Sequence, residues 1–139
     1  MSIFATNLHY TSIRTIMREK IDCFLPALDE HIAKEITIQL RNSKTVQNIT
    51  LLETSLLSSN ALMQVAENAK ADYVLLLTKP VKVSLGQGAL DRMLRVASDS
   101  NAAMVYSDYN GHPTIDYFPG SIRDDFDFGS LWLLKTSLL

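Results

Sequence analysis

Apolar positions along this chain alternate between two rhythms. Short apolar runs occupy residues 21–25, 73–78 and 102–106, each bounded by turn or polar residues, and Val46–Leu52 alternates loosely between apolar and polar. Between them, apolar residues recur three and four apart. Ile32, Ala33, Ile36 and Leu40 form one stripe, Leu62, Val65, Ala66 and Ala69 a second, and Leu90, Met93, Leu94 and Ala97 a third. The first rhythm predicts strands and the second amphipathic helices. Asp29 stands where an N-cap belongs, with a helix running to about Asn42. Ser58 or Ser59 can cap the second helix, and the turn at Gly86-Gln87-Gly88 starts the third. A strand is expected over residues 2–6, and a helix over 11–20 carrying Ile13, Ile16 and Met17. Two short strands are expected late in the chain, over 114–118 and 129–134.

Strand and helix alternating in this way predict an α/β fold: a three-layer, mostly parallel open sheet of Rossmann-like type. All 139 residues suffice for one domain with a core of its own and are too few for two. The ending Lys135-Thr136-Ser137-Leu138-Leu139 looks like the start of a helix cut short, so the domain is expected to be truncated there. Tyr73-Val74-Leu75-Leu76-Leu77-Thr78 carries no charge and should be buried on both faces. Ligands of open α/β sheets bind beyond the carboxyl ends of such strands, which makes Thr78 and Lys79 the first candidates for function.

Composition narrows the function classes. A formal net charge of -2 gives no basic field for nucleic acid. No apolar run approaches the roughly 20 residues of a membrane span, and residues 1–6 lack the basic flank of a signal peptide. A single cysteine, Cys23, excludes an internal disulfide and any cysteine-rich zinc site; together these features predict a cytoplasmic protein. The sequon Asn48-Ile49-Thr50 is then a chance match. Cys23 lies in an apolar run and reads as a small core residue rather than a nucleophile.

Three places can carry chemistry. Asp124, Asp125 and Asp127 crowd within four residues, and such carboxylates either hold a cation or cap turns in a solvated loop. Asp108 follows the strand over 102–106 and can accept a ribose hydroxyl, bind a metal or make an Asx-turn. Asp22 and Asp29 flank the first buried run, where they can touch a ligand or serve as turn and cap. His9, His31 and His112 show no metal-ligand spacing, and His31 belongs on a helix surface. Asp127-Phe128-Gly129 spells the kinase magnesium triplet without the glycine-rich loop or strand lysine that give it meaning.

From residue 58 onward the order of motifs resembles the donor-binding half of a family 2 glycosyltransferase with the GT-A fold. The resemblance is carried by Ala71-Asp72-Tyr73-Val74-Leu75-Leu76-Leu77, then Ala89-Leu90-Asp91-Arg92-Met93-Leu94, then Ala102-Ala103-Met104-Val105-Tyr106-Ser107-Asp108. Gly129-Ser130, with Lys135 following, matches a later strand of the family. Residues 123–129 are similar to a subgroup of bacterial members. The resemblance implies transfer of a sugar from a nucleotide-diphosphate donor to a glycan acceptor. It also implies donor contacts from Thr78, Lys79, Asp108, Asp124, Asp125 and Asp127, and leaves the catalytic residue unknown. Where the family carries its metal-binding D-x-D, this chain has Thr78-Lys79-Pro80, so no divalent metal is expected at that position. A lysine there supplies one positive charge to a diphosphate without a metal. Two other readings stay open: a non-catalytic, self-associating module on the same fold, and a generic α/β nucleotide-binding domain.

Overall fold

A computed structural model describes residues 2–3, 19–27, 29–53, 58–79, 81–107 and 128–139. In chain order the elements are β1 (Ser2–Ile3), β2 (Ile21–Pro26), α1 (Glu30–Arg41), β3 (Val46–Leu52), α2 (Ser59–Asn68), β4 (Tyr73–Leu77), α3 (Ala89–Ser100), β5 (Met104–Tyr106) and β6 (Leu131–Lys135). A single 3₁₀ turn, Thr136–Leu138, follows β6 where the sequence suggested a helix beginning. The expected strand over 114–118 and residues 11–18 of the helix expected over 11–20 lie outside the described residues, and Glu19 and Lys20 are not helical.

The strands form one sheet in the order β1-β5-β6-β4-β2-β3. Its centre is parallel as expected, with β4 and β3 flanking β2 in register (Cys23 beside Leu75 and Ile49). The rest is not. β6 enters between β4 and β5 and runs antiparallel to both, and β1 pairs antiparallel with β5. The sheet is therefore mixed rather than mostly parallel, because the last strand returns through the middle instead of extending an edge.

Strand periodicity assigns the two faces. Cys23, Leu25, Leu75, Leu77, Leu131 and Leu133 point to one side, where Ile36 and Leu40 of α1 and Leu90, Met93, Leu94 and Ala97 of α3 meet them. Phe24, Val74 and Leu76 point to the other, against Ala61 and Val65 of α2. α1 and α3 bury the stripes their spacing announced, whereas α2 is rotated from its expected stripe: Val65 is buried with Ala61, while Leu62 and Ala66 are exposed. Burying a large apolar side chain of this kind stabilises the fold by about 1.5–3 kcal/mol.

The helices start and stop where local chemistry requires. Asp29 accepts the Ile32 amide at 3.1 Å and Ser58 the Ala61 amide at 3.2 Å, each satisfying a first-turn donor. α3 has no side-chain cap; it begins at Gly88 (φ 70°) and ends at Asn101 (φ 52°), both left-handed positions that glycine and asparagine tolerate.

Between β4 and α3, residues 81–88 run without regular structure past α1. Gln39 fixes this segment by imitating a strand partner: its Nε2 donates to the Val83 carbonyl at 3.0 Å and its Oε1 accepts the Leu85 amide at 2.8 Å. Val83 and Leu85 then pack against the core. Gln39→Ala is expected to destabilise the chain by about 1–2 kcal/mol, since both bonds are lost at a half-buried site. Urea unfolding checks the magnitude, and faster hydrogen exchange at the Leu85 amide checks the location.

Candidate functional site at the carboxyl edge of the sheet

Topology singles out one crevice. β2 leads through α1 to β3 on one side, whereas its neighbour β4 leads through α3 to β5 on the other. Connections diverging from adjacent parallel strands leave an opening beyond their carboxyl ends. Here the strand ends concerned are Pro26-Ala27 and Thr78-Lys79, with α1 and α3 packed on the same face of the sheet. The first turn of α1, three residues after β2 ends, adds a helix N-terminus on the same edge.

Thr78 and Lys79 occupy this edge in different ways. Thr78 is buried, its amide donating to the Ser130 carbonyl at 2.8 Å and its hydroxyl to the same oxygen at 3.3 Å. It closes β4 onto the residue before β6, so its side chain serves the sheet. Lys79 is exposed, and its carbonyl accepts the Val81 amide at 2.8 Å. The ammonium thus stands on a stem anchored by a fully buried strand. Asp108, Asp124, Asp125 and Asp127 lie outside the described residues. Among the described residues, no three His, Cys, Asp or Glu side chains converge as metal ligands.

The two other aspartates considered from sequence are structural. Asp29 is committed to capping α1. Asp22 is 1% exposed and sits towards the opposite edge, where Oδ2 accepts the Lys70 amide at 2.7 Å and the Ala71 amide at 2.8 Å. Its Oδ1 accepts Asn48 Nδ2 at 3.0 Å. The carboxylate thereby ties β2 to the turn entering β4 and to β3, leaving no role at the crevice. It also occupies the amide of the sequon asparagine. His31 is exposed on α1.

An aromatic cluster at this edge was not foreseen. The Phe128 ring meets Tyr106 edge-on at 5.2 Å and Trp132 at 6.3 Å, while Trp132 Nε1 donates to the Gly129 carbonyl at 2.9 Å. Tyr106 ends β5 and pairs with Trp132 across β6. The cluster thus braces the 128–130 segment whose Ser130 carbonyl receives Thr78. The only sequence signal for it was Phe128 and Trp132 flanking Gly129-Ser130.

Described residues also form grooves away from Lys79. One of about 690 Å³ runs between the end of α1 and the start of α3, past Asn42, Lys44, Gly86 and Asp91. Another, of about 410 Å³, lies between α1 and β3 and reaches Ala27. Neither is lined by Thr78 or Lys79.

Fold and site together define an α/β protein with a mixed sheet, helices on both faces and an exposed lysine at the carboxyl edge of the sheet. No protein-family model matches the chain, and no curated protein or solved structure is significantly similar to it. No described helix is long and apolar enough to cross a membrane.

Proposed function

We propose that this chain is the donor-binding, GT-A-like part of a glycosyltransferase, holding a nucleotide-diphosphate sugar at the crevice between β2 and β4. The observation that carries the reading is Lys79, exposed at the end of a strand buried throughout its length. A diphosphate needs compensating positive charge, and an ammonium is a compact point charge able to meet it without a metal. The α1 N-terminus on the same edge adds a favourable field for the same anion. The motif order from residue 58 onward supports the choice of a nucleotide sugar over other phosphates. Because Thr78 is spent on Ser130, it acts by fixing the strand end rather than by touching the donor.

Isothermal titration with uridine and guanosine diphosphate sugars tests this reading. Saturable binding is expected, weakened by Lys79→Ala about 10-fold or more, since a hydrogen bond to a charged group contributes about 1.5–3 kcal/mol. Lys79→Arg should retain part of the affinity and chelation of divalent metal should change little. Absence of binding to every nucleotide sugar, or binding indifferent to Lys79, overturns the proposal.

A further inference from the structure

We infer that the outer edge of β3, with the groove between it and α1, is the contact surface of a twofold-symmetric dimer of this chain. β3 ends the sheet, and no described strand pairs with its outer side. Its seven residues, Val-Gln-Asn-Ile-Thr-Leu-Leu, contain no charge and no proline. Edge strands are ordinarily guarded by lysine, proline, a bulge or short length; this strand has no charge or proline on it and is longer than most edges, and its one register shift, at Gln47, lies at the amino end and leaves Asn48–Leu52 regular. Beside it Leu51 is 49% exposed and Ile38 of α1 is 64% exposed, so the apolar surface continues from strand to helix.

A second copy is the occupant that the charges select. Along the helix side of the groove run Glu30, Lys34, Ile38 and Arg41, spaced to lie on one face of α1. The stripe is acidic at its start and basic at its end, with Ile38 near the middle. Antiparallel pairing of β3 with the β3 of a second copy places the two α1 helices antiparallel on the same face of the joined sheet. With strands about 4.8 Å apart, helices seated over the outer strand pairs come within the roughly 8–10 Å of ordinary helix packing. Glu30 of each copy then faces the second copy's Arg41, the Ile38 side chains fill the groove from both sides, and the helix dipoles oppose one another. The Glu30 carboxylate is held by Lys34 at 2.6 Å within its own chain, an exposed pair that yields readily to a second cation. A parallel arrangement would bring like charges together, which leaves a closed twofold as the self-complementary solution.

Sedimentation equilibrium of the full chain without nucleotide tests this independently of donor binding. A species of twice the 15.6 kDa chain mass is expected. Leu51→Lys and Ile38→Lys, on separate elements, should each weaken association about 10-fold or more with far-UV circular dichroism unchanged. Glu30→Arg should weaken it as well, and adding Arg41→Glu to the same chain should restore it. A monomer at concentrations on the order of 100 μM overturns the inference, given that a specific interface is populated well below that. So does a dimer indifferent to both lysine substitutions, or open-ended assembly. Capture of an extended peptide by a chain that stays monomeric overturns it in favour of a peptide-binding edge.

Discussion

Asp22→Ala is expected to destabilise this chain by about 3–5 kcal/mol, a large share of the roughly 5–15 kcal/mol by which a domain of ordinary stability is folded. The side chain carries three hydrogen bonds to groups at least 26 residues away in sequence: the Asn48 amide and the Lys70 and Ala71 backbone amides. Alanine removes the acceptor and leaves the Ala71 amide buried without a partner, and a buried orphan donor costs far more than an average hydrogen bond contributes. It also opens a small void beneath the turn into β4. Asp22→Asn is the informative control. Its carbonyl oxygen still accepts both backbone amides, and Asn48 can rotate its own amide to present an oxygen, so the loss should be about 1 kcal/mol. Urea midpoints should fall in the order wild type, Asn, Ala with a constant slope. Equal losses for the two variants would mean that negative charge, rather than the acceptor geometry, holds the turn.

That clamp also marks how far the sequence could be read. The caps at Asp29 and Ser58, the stripes of α1 and α3 and the strands Val46–Leu52 and Tyr73–Leu77 were legible because each depends on residues within a few positions of one another, whereas the weakly apolar α2 buries Ala61 with Val65 and leaves Leu62 and Ala66 exposed. The partners of Asp22 lie 26 to 49 residues off, and nothing local reports them. An aspartate inside an otherwise apolar run was the available signal, since a charge there must find a partner. Strand direction was hidden for a similar reason. Leu131–Lys135 reads as a strand in either direction, and only the path of the preceding chain decides that it returns antiparallel between β4 and β5. At the site, Lys79 lies where the pattern placed it. Thr78 is diverted inward because β6 comes alongside and offers the Ser130 carbonyl, a partner 52 residues away.

Cys23 gives the second large effect, and it is one of pH. The thiol is fully buried in β2, and its pKa is pushed from 9.0 up to about 12, first by burial and then by the negative charge of neighbouring Asp22. In the unfolded chain the same thiol ionises near its ordinary value. Above pH 9 the unfolded state therefore sheds a proton that the folded state keeps, and the equilibrium moves towards unfolding as pH rises. The contribution is fully present below pH 9 and declines by about 1.4 kcal/mol per pH unit towards the folded-state value. Tyrosines and lysines titrate in the same range, so the comparison must be made against Cys23→Ala, which keeps them all. That variant carries a constant cavity penalty at neutral pH but lacks the alkaline loss, so the two stability curves should converge as pH rises through 10 and 11. Parallel curves would show that the thiol ionises as easily in the fold as outside it. A direct check is available at neutral pH: a thiol reagent should modify the native chain only at the rate of its unfolding, because the reactive species is the thiolate and burial suppresses it.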